Sequence, residues 1–199
     1  MTQKLILPNT YKIAIVGSHS CGKTSLVKAL SKRIEIPIIH EIAATFKPET
    51  RAHIDTQYNI MRKQIDTEQE YKSFLSDRSV LDNLAYSTLI YKTNLTEFKS
   101  MYDKCVELAY KHIAFKPYNL LISVDELLPL RPSAHRTFME KSEQEFILNF
   151  IRNEFNGDSA AYFGMPYIKV KGNIGSRIKT IMEYLKSNKR TTNEIKHNI

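Results

Sequence analysis

Gly17-Ser18-His19-Ser20-Cys21-Gly22-Lys23-Thr24 is the stretch that most restricts what this chain can fold into. It satisfies G-x-x-x-x-G-K-[ST] at every position. The apolar, β-branched run Lys12-Ile13-Ala14-Ile15-Val16 precedes it and reads as a buried central strand. Leu26, Val27, Leu30 and Ile34 follow at helical spacing, predicting a helix over 25–34. A strand, a Gly-rich turn and a helix N-terminus make an anion cradle. The glycines let successive amide N–H groups turn inward, and the positive end of the helix dipole points at the same place. Lys23 supplies a mobile cation for the outer phosphates, and the Thr24 hydroxyl a ligand for Mg²⁺. Residues Gly17, Ser18, His19, Ser20, Cys21, Gly22, Lys23, Thr24 and Ser25 are therefore expected to hold the phosphates of a nucleoside triphosphate, ATP with Mg²⁺.

Further strands are predicted at 36–40, 73–76, 120–124 and 167–170. Helices are predicted at 56–71, 81–91, 96–113, 142–155 and 174–185, with a loop over 129–136. This alternation implies an α/β chain: a five-stranded parallel sheet covered by helices on both faces, in three layers. No repeat or linker divides it, so one domain is expected over 1–185. The remainder, 186–199, is polar and basic without periodicity and reads as a mobile tail.

Composition narrows the class. The chain has 199 residues, 42% of them apolar, which suits a protein with a real core. No apolar run approaches the roughly 20 residues a membrane helix needs, and the first ten residues hold too short an apolar patch for a signal-peptide core. A soluble, cytoplasmic protein is expected. Cys21 and Cys105 lie in unlike contexts with no CxxC spacing, so neither a disulfide framework nor a metal site is expected from them. The net charge of +8 is spread along the chain, which favours a polyphosphate site plus a basic tail over a nucleic-acid partner.

Two other phosphate-loop classes fit poorly. The guanine-reading N-K-x-D motif is absent, because Asn188-Lys189 continues into Arg190-Thr191. A hydrophobic strand ending in Asp125-Glu126 superficially suits an oligomeric ATPase or helicase, but no second subdomain follows. These two acids are read as loop residues, with a metal contact as the alternative. A small kinase fits better. Glu41 follows the second strand and Asp77-Arg78 end the third, and strand C-termini of a parallel sheet converge on one crevice. Lys23, Glu41, Asp77 and Arg78 should face one another.

From about Tyr11 to Leu185 the chain resembles the NadR-like AAA domain family, kin to nicotinamide riboside, deoxynucleoside and thymidylate kinases. The resemblance rests on the phosphate loop, His40-Glu41-Ile42-Ala43, Gln64-x-x-x-Glu68 and Asp77-Arg78-Ser79-Val80-Leu81-Asp82-Asn83-Leu84-Ala85-Tyr86. It also rests on a loop ending at Arg136 and on Gly172 to Arg177. It implies a kinase-like fold with a lid. It further implies that Glu41 accepts the proton of an acceptor hydroxyl, that Asp77 holds Mg²⁺, and that Arg78 contacts the acceptor or the transferring phosphoryl group. Gln64 would line the acceptor pocket, Arg136 (rather than Arg131) would close with the lid, and Arg177 would stack on or near adenine.

Plainer roles stand beside these. Glu41 can be a helix N-terminal acid, Asp77 and Arg78 a buried ion pair, Gln64 a solvent-facing helix residue, and the arginines surface groups. His19 is read either as a phosphate or acceptor contact or as a solvated loop residue. Cys21 is read as a small residue that fits the turn rather than as an activated thiol. The chain also departs from the family pattern. Ala44 stands where an Arg is common, and Ser133-Ala134 stand where an Asp-Gly pair precedes the lid arginine.

The expected function is ATP-dependent phosphoryl transfer to a nucleoside, nucleotide or related small molecule. The alternatives are a nucleotide-binding switch without a small acceptor, and a 5′-hydroxyl kinase of nucleic acid. ATP and a small acceptor are the expected partners, with no membrane; the oligomeric state is left open, a homodimer included.

Overall fold

The computed structural model describes residues 4–115, 118–130, 140–156 and 164–197, with side chains as far as Asn188. Five short apolar runs form its parallel sheet: β1 (Lys12–Val16), β2 (Ile38–Ile39), β3 (Phe74–Asp77), β4 (Leu120–Val124) and β5 (Tyr167–Val170), in the order β2-β3-β1-β4-β5. The helices are α1 (Lys23–Leu30), α2 (Ile54–Glu70), α3 (Val80–Tyr91), α4 (Leu95–Phe115), α5 (Lys141–Asn156) and α6 (Ile174–His197).

Strand alternation divides the apolar residues into two cores. Ile13, Ile15, Leu75, Ile122 and Val124 pack with Leu26, Leu30 and Ile181, residues of α1 and α6. Ala14, Val16, Phe74 and Leu121 pack with Ile60, Leu84, Ala109 and Ile147, residues of α2 to α5. Because both faces are covered, the central strands read as continuous apolar runs, as parallel strands do. The three-layer α/β fold expected from the alternation is the fold observed.

Register places the chemistry. β1 lies between β3 and β4, with Ile15 opposite Asp77 and Val16 opposite Ser123. The chain leaves β1 directly into the Gly-rich loop, so the ends of three neighbouring strands meet at that loop.

Some boundaries differ from the sequence reading. α1 begins at Lys23 rather than residue 25, because Gly22 takes φ 90° and the helix starts at once. It ends at Leu30 rather than residue 34, since Ile34 leaves it to bridge Leu5. β2 is confined to Ile38–Ile39, where residues 36–40 were expected. Pro37 has no N–H to give a ladder, and only its carbonyl is used, by Leu75 N at 2.8 Å. Two 3₁₀ turns, Ile42–Thr45 and Pro48–Thr50, lie between β2 and α2 and carry no apolar period. The last helix passes the expected end at Leu185 and continues to His197. No Gly or Pro lies between 186 and 197 to stop it. No helix among the described residues is long and apolar enough to cross a membrane.

Candidate active site

The loop between β1 and α1 has the backbone its sequence requires. Gly17 and Gly22 take φ 151° and 90°, and Ser20 sits in the left-handed region at 62°. A side chain at Gly17 would place its Cβ 3.0 Å from Cys21 Sγ and 3.1 Å from the Val124 carbonyl oxygen. At Gly22 it would lie 3.2 Å from Arg177 Nη1. Both positions need glycine for space as well as conformation. The Lys23 ammonium is folded into the loop, donating to the Gly17 and Ser18 carbonyls at 2.7 and 2.6 Å, with Cys21 Sγ at 3.7 Å. Thr24 and Ser25 are exposed on the first turn of α1.

Side chains from distant helices hold the loop in shape. Gly17 N donates to Asp82 Oδ1 at 3.1 Å. Ser18 Oγ donates to the Gln144 carbonyl at 2.8 Å, and Gln144 Nε2 returns a bond to the His19 carbonyl at 3.0 Å. His19 Nδ1 lies 3.2 Å from the Tyr86 hydroxyl. Arg177 Nη1 donates to the Cys21 carbonyl at 2.7 Å. His19 is therefore buried, not solvated. Cys21 is buried beneath Gly17, as the small-residue reading expects.

Asp77 ends β3, only 2% exposed, and its Oδ1 has no hydrogen-bond partner among the described groups. It follows Ser76, whose hydroxyl meets Gln64 on the α2 side. Alternation then directs Asp77 to the other face, the one α1 covers and from whose first turn Thr24 projects. A buried carboxylate oxygen and an exposed hydroxyl at a helix N-terminus are hard oxygen donors, and they fit Mg²⁺. Among the described residues no group of three or more His, Cys, Asp or Glu could hold a metal ion. Mg²⁺ takes water and phosphate for most of its coordination in such sites.

Arg78 adopts φ 107°, a conformation that costs a non-glycine residue about 1–3 kcal/mol. Its N–H still donates to the Ile15 carbonyl at 3.1 Å, and the turned backbone sends its side chain across the crevice. There Nε donates to Glu41 Oε1 at 2.6 Å. The guanidinium lies 5.3 Å from the centre of the Tyr86 ring and 3.7 Å from Asp82 Oδ1. Arg78 holds the Glu41 carboxyl below its ordinary range against the opposing effect of burial, with Lys23 and Arg51 adding to the pull. Burial raises the Asp82 carboxyl, and Lys23, Arg78 and the backbone bonds from Ser79 and Gly17 only partly offset it. Glu41 remains 32% exposed, so its carboxylate is both ionised and accessible.

The structure thus brings Lys23, Asp77, Arg78 and Glu41 around one crevice. Two other assigned residues lie in buried networks. Gln64 is 1% exposed, and its Nε2 donates to Glu68 Oε1 at 2.7 Å and to Ser76 Oγ at 3.1 Å. It is held in a buried network under β3 and does not face solvent. Arg177 is not a surface group. At 2% exposure it donates to the Cys21 carbonyl, to the Gly172 carbonyl at 2.8 Å and to Glu126 Oε2 at 3.1 Å. It braces the phosphate loop from α6. Asp125 pairs with Arg152 and Lys171, and Glu126 with Arg177, so both acids are engaged on the β4–β5 side. Ala44 is exposed on the 3₁₀ turn that Glu41 leads. Arg131, Ser133, Ala134 and Arg136 lie outside the described residues.

Asp82, Tyr86 and Gln144 were not assigned from sequence. For Asp82 a signal existed: Ser79-x-x-Asp82 is a capping box, with Leu81 N donating to Ser79 Oγ and Ser79 N to Asp82 Oδ2. Tyr86 closes the run that carries the family resemblance but was given no role there, and nothing local marks Gln144.

A family model described as an AAA domain matches residues 12–177. The chain belongs to the AAA domain family. The matched segment begins at β1 and ends on Arg177, so it contains the loop, the Glu41–Arg78 pair and the α6 brace. No curated protein matches the sequence. The structure of this AAA domain is similar to deoxyadenosine kinase from M. mycoides with dCMP and a flexible dCDP bound, at TM-score 0.71 and 16% identity over 88% of this chain and 98% of that one. It is also similar to NadR in complex with NAD and AMP-PNP, at TM-score 0.66 and 19% identity. That match covers 89% of this chain and 50% of that one, so the AAA domain spans half of NadR. NadR in complex with NR matches at TM-score 0.59 and 20% identity, over 81% of this chain and 43% of that one. These likenesses establish a kinase-like P-loop α/β fold.

Proposed function

We propose that the chain is an Mg-ATP-dependent phosphotransferase acting on a hydroxyl or phosphate of a nucleoside, nucleotide or related small molecule. The observation that carries this reading is the Glu41–Arg78 pair, 2.6 Å long and set at strand ends beside the Lys23 loop. A module that only bound nucleotide would need no ionised, accessible carboxylate there. The complexes of the structurally similar deoxyadenosine kinase and NadR with nucleotides support the same reading.

In this mechanism the loop amides and Lys23 bind the phosphates of ATP. Thr24 and Asp77 would hold Mg²⁺, which neutralises phosphate charge when bound. Glu41 orients the acceptor hydroxyl and collects its proton as the new O–P bond forms and the bond to the ADP oxygen breaks. Arg78 keeps Glu41 ionised and orients it through Nε, while its Nη1 lies 3.7 Å from the buried Asp82 carboxylate. Catalysis is mostly positioning and charge neutralisation.

The test is transfer from γ-labelled ATP to a panel of nucleosides, nucleotides and cofactor precursors. Label should reach an acceptor with the wild-type chain and not with Lys23→Ala. Label released only as free phosphate would instead favour a nucleotide-driven switch, a reading to which the exposed Ala44 lends some support by leaving the acceptor side short of a cation.

A further inference from the structure

We propose that Tyr86 is a positioning residue that ties the phosphate loop to the acceptor-side arginine, so that one ring sets both halves of the reaction. The inference deepens the kinase reading and rests on it for the acceptor half. Tyr86 lies on α3, a full turn beyond the capping box that fixes the start of that helix. Its two ends have different partners. The hydroxyl lies 3.2 Å from His19 Nδ1, within the loop that holds the nucleotide. The ring face lies 5.3 Å from the Arg78 guanidinium, whose Nε is bonded to Glu41.

Each end does separate physical work. His19 is buried in the loop interior, and its carbonyl is already fixed by Gln144 Nε2 at 3.0 Å. The Tyr86 hydroxyl adds a hold on its ring and so on the path of the backbone between Ser18 and Ser20, whose amides would face the phosphates of a bound nucleotide. Arg78 carries a left-handed backbone that its surroundings must maintain. The aromatic face supports the planar guanidinium from one side while Glu41 takes its Nε. A guanidinium tilted off that ring would misalign the Glu41 carboxylate that it orients.

The two ends can be removed one at a time. Tyr86→Phe deletes the bond to His19 and keeps the ring under Arg78. Tyr86→Leu deletes both. Titration with Mg-AMP-PNP should show Tyr86→Phe binding about fivefold more weakly than wild type, the factor a single neutral hydrogen bond carries. The acceptor KM should stay within about twofold in Tyr86→Phe, because the ring is retained. Tyr86→Leu should show the same loss for Mg-AMP-PNP together with a fall in kcat and a rise in acceptor KM. In ¹⁵N spectra the Arg78 Nε–H resonance should keep its position in Tyr86→Phe and move in Tyr86→Leu. Mg-AMP-PNP binding unchanged in Tyr86→Phe, or nucleotide and acceptor constants moving in parallel in both variants, would overturn the proposal. If no acceptor is phosphorylated even by the wild type, the kinase reading fails, while Mg-AMP-PNP affinity and the Arg78 resonance still decide the role of Tyr86.

Discussion

Arg78 Nε donates to Glu41 Oε1 at 2.6 Å, joining the end of β3 to the turn that follows β2. The pair fixes the charge state of the group assigned to collect the proton. Because Arg78 lowers the Glu41 carboxyl below its ordinary value of 4.5, Glu41 stays ionised down to a more acidic pH than a free glutamate. The acid limb of the rate profile should therefore lie below the usual carboxylate range. Arg78→Met should move it upward, because burial then acts on Glu41 with less opposition. Stability follows the same sign. The contribution of a depressed carboxyl is present above the unfolded value and is lost as pH falls through the folded one. Glu41→Gln should lower kcat by about 10²–10⁴-fold with little change in Mg-ATP affinity. Steady-state rates of the wild type and both variants, taken from below the ordinary carboxylate range upward, check this, and an acid limb that Arg78→Met leaves in place would remove Arg78 from this role.

Lys23 and Gly22 are neighbours whose substitutions should fail differently. Lys23→Ala removes a cation from a loop that other contacts hold, so phosphoryl transfer should vanish while the melting temperature changes little. Gly22→Ala places a Cβ 3.2 Å from Arg177 Nη1 on a backbone at φ 90°. It should cost about 1–2 kcal/mol and weaken nucleotide binding as well. Thermal melts with and without Mg-ATP separate the two outcomes: the melt of Lys23→Ala should match wild type only without nucleotide.

The sequence announces contiguous chemistry and hides chemistry assembled from afar. The phosphate loop is a single run of residues whose conformational demands are written in its glycines. Glu41 and Asp77 are visible because a parallel sheet brings strand ends together whatever the details of packing. The burial of Gln64 is hidden because it turns on one alternation: it meets Ser76, and the neighbouring Asp77 faces the other way. Asp82, Tyr86 and Gln144 reach the loop across 65, 67 and 126 residues of chain, respectively, and no spacing rule covers such distances. Polar periodicity likewise describes a buried face and not a helix as such, which is why α6 outruns its expected end.

Arg177 offers a test between bracing the loop and stacking on a base. Its guanidinium edges are spent on the Cys21 and Gly172 carbonyls and on Glu126. Arg177→Ala should therefore weaken Mg-ATP and Mg-GTP by the same factor and lower the melting temperature. Arg177→Lys should recover little, since one ammonium cannot span the same partners in a plane. Calorimetric titration of both nucleotides against both variants is the measurement. A loss confined to ATP would return Arg177 to the adenine.

Beneath β3, Glu68 gathers the buried polar groups that the active site does not use. Its Oε1 accepts from Gln64 Nε2 at 2.7 Å, and both of its oxygens lie 3.0 Å from the Tyr118 hydroxyl. Its Oε2 lies 2.7 Å from His112 Nε2. Burial, followed by the Glu68 charge, pushes the Tyr118 phenol well above its usual range, so it stays a donor. Removing the shared acceptor takes this partner from Tyr118 and His112 in a buried site and leaves Gln64 Nε2 only its bond to Ser76. Glu68→Ala should cost about 3–5 kcal/mol. Tyr118→Phe removes one donor and leaves the carboxylate bonded to Gln64 and His112, so it should cost only about 1 kcal/mol. Urea unfolding of the two variants gives the comparison directly. Equal losses would mean that the Tyr118 hydroxyl alone carries what the carboxylate contributes, with Gln64 and His112 adding nothing, and a larger loss for Tyr118→Phe would reverse the assignment altogether.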